Sequence, residues 1–173
     1  MRARRGPKAY KGGMSLTVRT TINHVAMSVP SAELTDATRA DIVAFYSEVF
    51  GWVHYTEHGE PGNPLILGMT DPMQFVYIHP EEAGTGLTAP RVDHYGVQVG
   101  TEEELDLVLD RARRYQEKDD RVEIIEKDVT QYGGAEAEAA GVKVELVNCY
   151  FRYVLPLAVE VQHFRFKPIG AKK

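Results

Sequence analysis

Two stretches decide how this chain folds: Ile22-Asn23-His24-Val25-Ala26-Met27-Ser28-Val29 and Val92-Asp93-His94-Tyr95-Gly96-Val97-Gln98-Val99. Each alternates in the period of two that marks a strand with one buried face. In the first, Val25, Met27 and Val29 share one side, and His24, Ala26 and Ser28 share the other. In the second, Val97 and Val99 oppose His94, Gly96 and Gln98. The histidine holds the same place in both, so the two stretches read as copies.

The residues downstream of each stretch repeat a plan as well. After the first, Thr35-Asp36 leads into Ile42, Phe45, Tyr46 and Val49, whose i, i+3, i+4, i+7 spacing predicts a helix with one buried face. Gly51 is placed to end it. After the second, Thr101 with Glu104 reads as a capping box, and Leu105, Val108, Leu109 and Ala112 form the stripe of another helix. Strands are expected near 52–58, 64–69 and 73–79, with turns at Gly59, Pro61, Gly62 and Asn63 and at Asp71-Pro72. In the second half they are expected near 121–128, 142–153 and 157–166, with a loop from Gly133 to Gly141. The order is therefore β-α-β-β-β twice, in the α+β class. Repeats of this kind bury their apolar faces only by pairing. The chain divides into a disordered leader (1–20), a first module (21–80), a linker (81–91), a second module (92–167) and a tail (168–173).

Composition narrows the function classes. No run approaches the roughly 20 apolar residues of a membrane helix. The single cysteine, Cys149, excludes an internal disulfide and a cysteine-based zinc site, and its apolar surroundings predict an inert core thiol. The leader is basic, with Arg2, Arg4, Arg5, Lys8 and Lys11. Setting these aside leaves an acidic body, which argues against nucleic-acid binding because contacts to phosphate need cations. No apolar stretch comes after the leader, so it does not read as a secretory signal, and a cytoplasmic location is expected.

Glu160 lies in a third strand-like run, Leu157-Ala158-Val159-Glu160-Val161-Gln162-His163-Phe164. There Val159 and Val161 form the packing pair, while Glu160 and Gln162 point away. His24, His94 and Glu160 are thus expected on the same side of their sheets. Two histidines and one carboxylate hold a divalent ion while leaving positions open for substrate.

The doubled βαβββ plan, with histidine in the first strand of each module and glutamate in the last, resembles the vicinal oxygen chelate superfamily. That superfamily includes glyoxalases, extradiol dioxygenases, epimerases and antibiotic-resistance proteins. The resemblance spans about residues 20–167. Phe45-Tyr46-Ser47-Glu48-Val49-Phe50-Gly51-Trp52 looks like the family's helix end, and Tyr150-Phe151-Arg152 followed by Val159-Glu160-Val161 looks like its final hairpin. One departure is the turn Val154-Leu155-Pro156-Leu157, where the family usually has Asp-Pro-Asp-Gly. The resemblance implies a curled mixed sheet with helices outside and a metal held inside the cup by His24, His94 and Glu160. Tyr77 stands where glyoxalases and epimerases carry a fourth ligand. Neutral tyrosine is a poor ligand, so three protein ligands are expected, which favours the dioxygenase branch.

Within that branch the resemblance assigns His79 as acid/base and Tyr150 as donor to the substrate oxygen. A further pocket histidine of those enzymes is missing here. His54, Tyr77 and Gln98 are expected to line the substrate pocket, and His58 to be solvated. The implied cofactor is a divalent metal, Fe(II) first, with Mn, Ni, Co or Zn also compatible. The implied function is an extradiol-type dioxygenase acting on a catechol-like small molecule. The alternatives are a glyoxalase- or epimerase-type lyase or isomerase, and a metal-free drug-binding protein. The expected partners are a small-molecule substrate and a second copy in a homodimer, with no nucleic acid and no membrane.

Overall fold

A computed structural model of the protein describes residues 21–55, 63–82, 84–132 and 134–169. The leader, His58 and the turn glycines 59 and 62 lie outside these residues. The elements run β1 (His24–Pro30), α1 (Asp36–Phe50), β2 (Val53–His54), β3 (Leu65–Gly68), β4 (Phe75–Glu81), β5 (His94–Gln98), α2 (Glu102–Gln116), β6 (Glu123–Tyr132), α3 (Gly134–Ala139), β7 (Val142–Arg152) and β8 (Ala158–Pro168).

Both helices form where the spacing predicts, for local reasons. Thr35 caps α1 by accepting from the Thr38 amide, and Gly51 ends it in the left-handed region at φ 74°. Ile42, Phe45, Tyr46 and Val49 are its buried residues. Thr101 and Glu104 complete the capping box of α2, which buries Leu105, Leu109, Ala112 and Tyr115. One expectation fails. The stretch read as a loop from Gly133 to Gly141 contains the short helix α3. Its run of alanine and glutamate between glycines has high helix propensity, and Gly141 at φ 72° closes it.

Each module forms one four-stranded sheet. The orders are β1-β4-β3-β2 and β5-β8-β7-β6, so the same topology occurs twice. The β1–β4 and β5–β8 pairs are parallel and the others antiparallel. Burial obeys the alternation read from sequence: Met27, Val29, Val76, Ile78, Val159 and Val161 are buried on the helix side.

The apolar sides of both modules share one core. Phe45 of α1 stacks on Tyr153 at 4.5 Å and meets Tyr115 of α2 edge-on at 5.1 Å. Phe50 meets Phe151 at 5.7 Å. Buried aromatics of this size each stabilise by about 1.5–3 kcal/mol, so this seam joins the modules strongly. Around it, Lys118 pairs with Glu48 at 2.8 Å, and Arg121 reaches Asp41 at 2.8 Å. Among the described residues no ladder joins the two sheets: β1 and β5 are each an outer strand of their own.

Candidate metal centre and its cavity

The second sheet builds a polar cluster on the side facing away from α2. In the β7–β8 ladder Tyr150 stands opposite Glu160 and Asn148 opposite Gln162. In the β5–β8 ladder Gly96 stands opposite Glu160. These registers place Asn148, Tyr150, Glu160 and Gln162 on one face, with His94 at the start of β5 beside them.

Glu160 is only 4% exposed. A carboxylate so buried is stable only if its lone pairs find donors. Asn148 Nδ2 donates to Oε1 at 2.6 Å, and the Tyr150 hydroxyl donates to the same oxygen at 2.8 Å. Gln162 Nε2 donates to Oε2. His94 Nε2 lies 3.2 Å from Oε2. Burial pushes the Glu160 carboxyl up, but the bonds from Asn148, Gln162 and Tyr150 and the charge of His94 outweigh it. Its pKa lies below the ordinary carboxylate value, and the group is ionised at neutral pH. Burial and the bond to Glu160 push the Tyr150 phenol up to about 12, so it keeps its proton and donates.

The His94 ring is fixed by its other nitrogen. Nδ1 lies 2.7 Å from the Val92 carbonyl, which can only accept, so Nδ1 carries a proton. That leaves Nε2 facing a carboxylate oxygen, as an N–H donor when the ring is charged and as a lone pair when it is not. Two lone pairs at this separation repel unless a cation lies between them, either a proton on Nε2 or a metal ion. Tethering Nδ1 to a carbonyl is also how ligand histidines are oriented. His24 is held likewise, with Nδ1 2.8 Å from Asn23 Oδ1 and its ring stacked on Phe75 at 5.0 Å. In donor type these side chains suit a divalent ion, but in position only His94 and Glu160 come together.

A cavity of about 660 Å³ lies between the modules, and both His24 and His94 line it. Gln98, Asn23 and Gln74 add polar groups, while Phe50, Trp52 and Val161 make apolar wall. No lysine or arginine is among its described lining residues.

The expected residues are thus only partly gathered. His94, Glu160 and Tyr150 are in contact, and Gln98 lines the cavity. His24 shares the cavity but not the contact. Among the described residues, no three His, Cys, Asp or Glu side chains cluster closely enough to hold an ion. His54, Tyr77 and His79 do not line the cavity. His54 sits on β2, three strands away from β1. Tyr77 and His79 pair with Ala26 and Ser28, progressively further along β1 from His24, and meet each other edge-on at 5.9 Å. Asn148 was not anticipated. Its signal was a carboxamide in the otherwise apolar run Leu146-Val147-Asn148-Cys149, in phase with Tyr150.

The chain matches no model of a known protein family, and no curated protein matches it by sequence. Solved structures do match it. The fosfomycin resistance protein FosX from Listeria monocytogenes aligns over 89% of this chain and 94% of its own, at 14% identity and TM-score 0.51. A glyoxalase/bleomycin resistance protein/dioxygenase from Alicyclobacillus acidocaldarius aligns over 83% and 91%, at 11% identity and TM-score 0.51. An integron cassette protein from the metagenome of the Halifax Harbour sewage outfall aligns over 83% and 98%, at 14% identity and TM-score 0.50. At such identities the likeness is one of fold: the chain has the vicinal oxygen chelate fold.

Proposed function

We propose that this protein is a metal-dependent enzyme acting on a small molecule through two adjacent oxygens, with extradiol-type cleavage of a catechol-like ring as the leading reaction. The observation that carries this reading is the His94–Glu160 pair, in which a tethered imidazole presents Nε2 to an ionised carboxylate at 3.2 Å. His94 and Glu160 would hold the ion, and His24 would join them from across the shared cavity. Fe(II) is the metal put first; the same donors suit Mn, Ni, Co or Zn. When bound, the metal would supply a template and a Lewis acid for the substrate oxygens.

The chain's own groups have distinct tasks in this reading. Glu160 brings negative charge, kept ionised by three donors. Tyr150 steadies Glu160, because its single proton is committed to Oε1. It reaches a substrate oxygen only by leaving that bond. His79, the expected acid/base, stands on β4 outside the cavity lining, and would act only on a substrate bound beyond the cavity. Phe50, Trp52 and Val161 would keep water from the apolar body of the substrate. A lining without lysine or arginine suits a neutral aromatic body better than a phosphonate, which calls for cations. Small-molecule binding by a homodimer belongs to the same reading.

Two other readings stand beside it. A glyoxalase- or epimerase-type lyase or isomerase would use the same ligands. A metal-free binding protein is favoured by one observation, that only two of the three candidate ligands touch. Anaerobic purification, elemental analysis and oxygen uptake with a panel of catechols separate the three. About one equivalent of iron with oxygen uptake and a yellow ring-opened product is expected. Metal without oxygen uptake would transfer the assignment to the lyase or isomerase class, and a chain that binds no divalent ion would leave only the binding protein.

A further inference from the structure

The cavity between the modules is lined by both faces of the same strands. His94, Gly96 and Gln98 reach it from one face of β5, and Tyr95 and Val97 from the other. On β1, His24 and Val25 do the same. Side chains alternate between the two faces of a strand, so one cavity meets both only by passing round the strand's edge. One edge of β5 is laddered to β8, and one edge of β1 to β4. The cavity therefore runs between the other edges of β1 and β5, from the histidine face down to the helix layer.

The two ends of this slot differ in chemistry. His24, His94 and Gln98 stand at one end; Val97, Val161, Phe50, Trp52 and Val108 of α2 wall the other. Six apolar side chains packed against the core, Val25, Phe50, Met69, Val97, Val99 and Val108, are only partly buried, and all six line the slot. The stripe of α2 shows the effect: Leu105, Leu109 and Ala112 are buried, while Val108 among them is not. Apolar surface left wet in this way gains from an apolar body that covers it. None of the described lining residues is Asp, Glu, Lys or Arg. An ionised group drawn into the slot would lose water without meeting a partner charge.

We propose that the split between β1 and β5 is a binding slot for the apolar tail of a neutral small molecule. The molecule's hydroxyl head stays at the histidine end, and its alkyl or aryl tail lies against Val97, Val108 and Trp52. The volume of about 660 Å³ is that of pockets that enclose such molecules. This extends the reading of the cavity given above, by naming what the substrate carries besides its oxygens. It rests on that reading for the head alone, because the tail needs no ion.

Trp52 is the only tryptophan of the chain and lines the slot, so its fluorescence reports what enters. The test titrates para-ethyl-, para-butyl- and para-hexylphenol into the full-length protein as purified, read by that fluorescence and by calorimetry. Phenols of this kind are uncharged at neutral pH. Affinity should climb about three- to fourfold per methylene, and so about tenfold at each step of the series. The matched para-hexylbenzoate, with the same ring and chain but an ionised head, should bind about tenfold more weakly or worse than para-hexylphenol. Val108→Phe fills the apolar end from a partly exposed helix position. It should remove the gain from ethyl to hexyl and leave para-ethylphenol within about twofold. Equal affinity for the ethyl and hexyl phenols would overturn the proposal, as would a benzoate that binds as well as its phenol, or an undiminished gain with chain length in folded Val108→Phe. If that variant does not fold, the series on the unmodified protein decides alone. Metal content and oxygen uptake are measured separately, so a chain that cleaves catechols but ignores tail length keeps the reaction and loses the slot.

Discussion

A carboxylate removed from water is a liability unless its surroundings answer it, and Glu160 is answered by Asn148, Tyr150 and Gln162 as well as His94. Glu160→Ala should therefore have two effects. It should abolish divalent-ion binding, and it should cost about 1–3 kcal/mol because three donors lose their acceptor. A domain of ordinary stability tolerates that loss, so the variant should still melt cooperatively. Elemental analysis and a melting curve check both, and full metal retention would remove Glu160 from the site. Cys149 is a contrasting case. Burial pushes its thiol up to about 12, and the residue has no exposed surface. It should not react with a thiol reagent in the native protein at neutral pH, and should react stoichiometrically once unfolded. Much of this was legible residue by residue. His94 and Glu160 are polar positions in strands whose other face is apolar, and such positions announce themselves. Asn148 did not, because a lone carboxamide in an apolar strand has no meaning until the register shows what stands opposite it.

Among the elements, the connection from β7 to β8 carries local strain. Val154 has φ 58°, a value that β-branched side chains rarely adopt, and the Leu155 amide turns back to the Tyr153 carbonyl at 2.5 Å. The turn itself is Val154-Leu155-Pro156-Leu157, without a glycine to take the left-handed position. Buried Tyr153 and Leu155 on either side hold the turn in place. Val154→Gly should relieve about 1–3 kcal/mol of strain and give back about 0.5–1 kcal/mol in chain entropy. The expected net gain of about 1 kcal/mol would raise the melting temperature by about 2–4 °C, and a lowered melting point would show the strain to be negligible. Helix periodicity and caps predicted α1 and α2 well, since both depend on neighbours in sequence. Strand ends were less legible. β6 continues to Tyr132, past a register shift between Ile125 and Asp128, because pairing with the long β7 sustains it. That partner lies far along the chain.

At the scale of the molecule, two sheets are held by one aromatic seam and a rim of charges. Phe45 is fully buried between α1, Tyr115 and Tyr153. Phe45→Ala should cost about 3–5 kcal/mol, and chemical denaturation measures it. The rim should give stability a pH dependence. The Arg121 guanidinium beside Asp119, helped by the Tyr153 hydroxyl and opposed by partial burial, holds the Asp119 carboxyl well below the usual range. Away from that rim, within the second sheet, Lys167, Lys143 and Arg165 hold Glu145 at about 2. Depressed carboxyls stabilise fully above their unfolded values and progressively less as pH falls toward their folded ones. The melting temperature should thus hold near neutrality and decline below about pH 4. Asp119→Asn should flatten part of that decline, and an unchanged profile would exclude this group as a cause. How the modules meet was the least legible level. The apolar stripes showed that the helices would be covered, but not that His24 would stop short of the His94–Glu160 pair.

The unladdered border between β1 and β5 has a consequence of its own. Spreading these edges breaks no sheet hydrogen bonds, so the resistance comes from Phe45 and its aromatic neighbours, as from the spine of a book. A guest seated between the covers would quieten the facing margins first. Deuterium uptake at the amides of β1 and β5 should slow before that of the inner strands β4 and β8, which makes isotope exchange a way to find a guest before its chemistry is known.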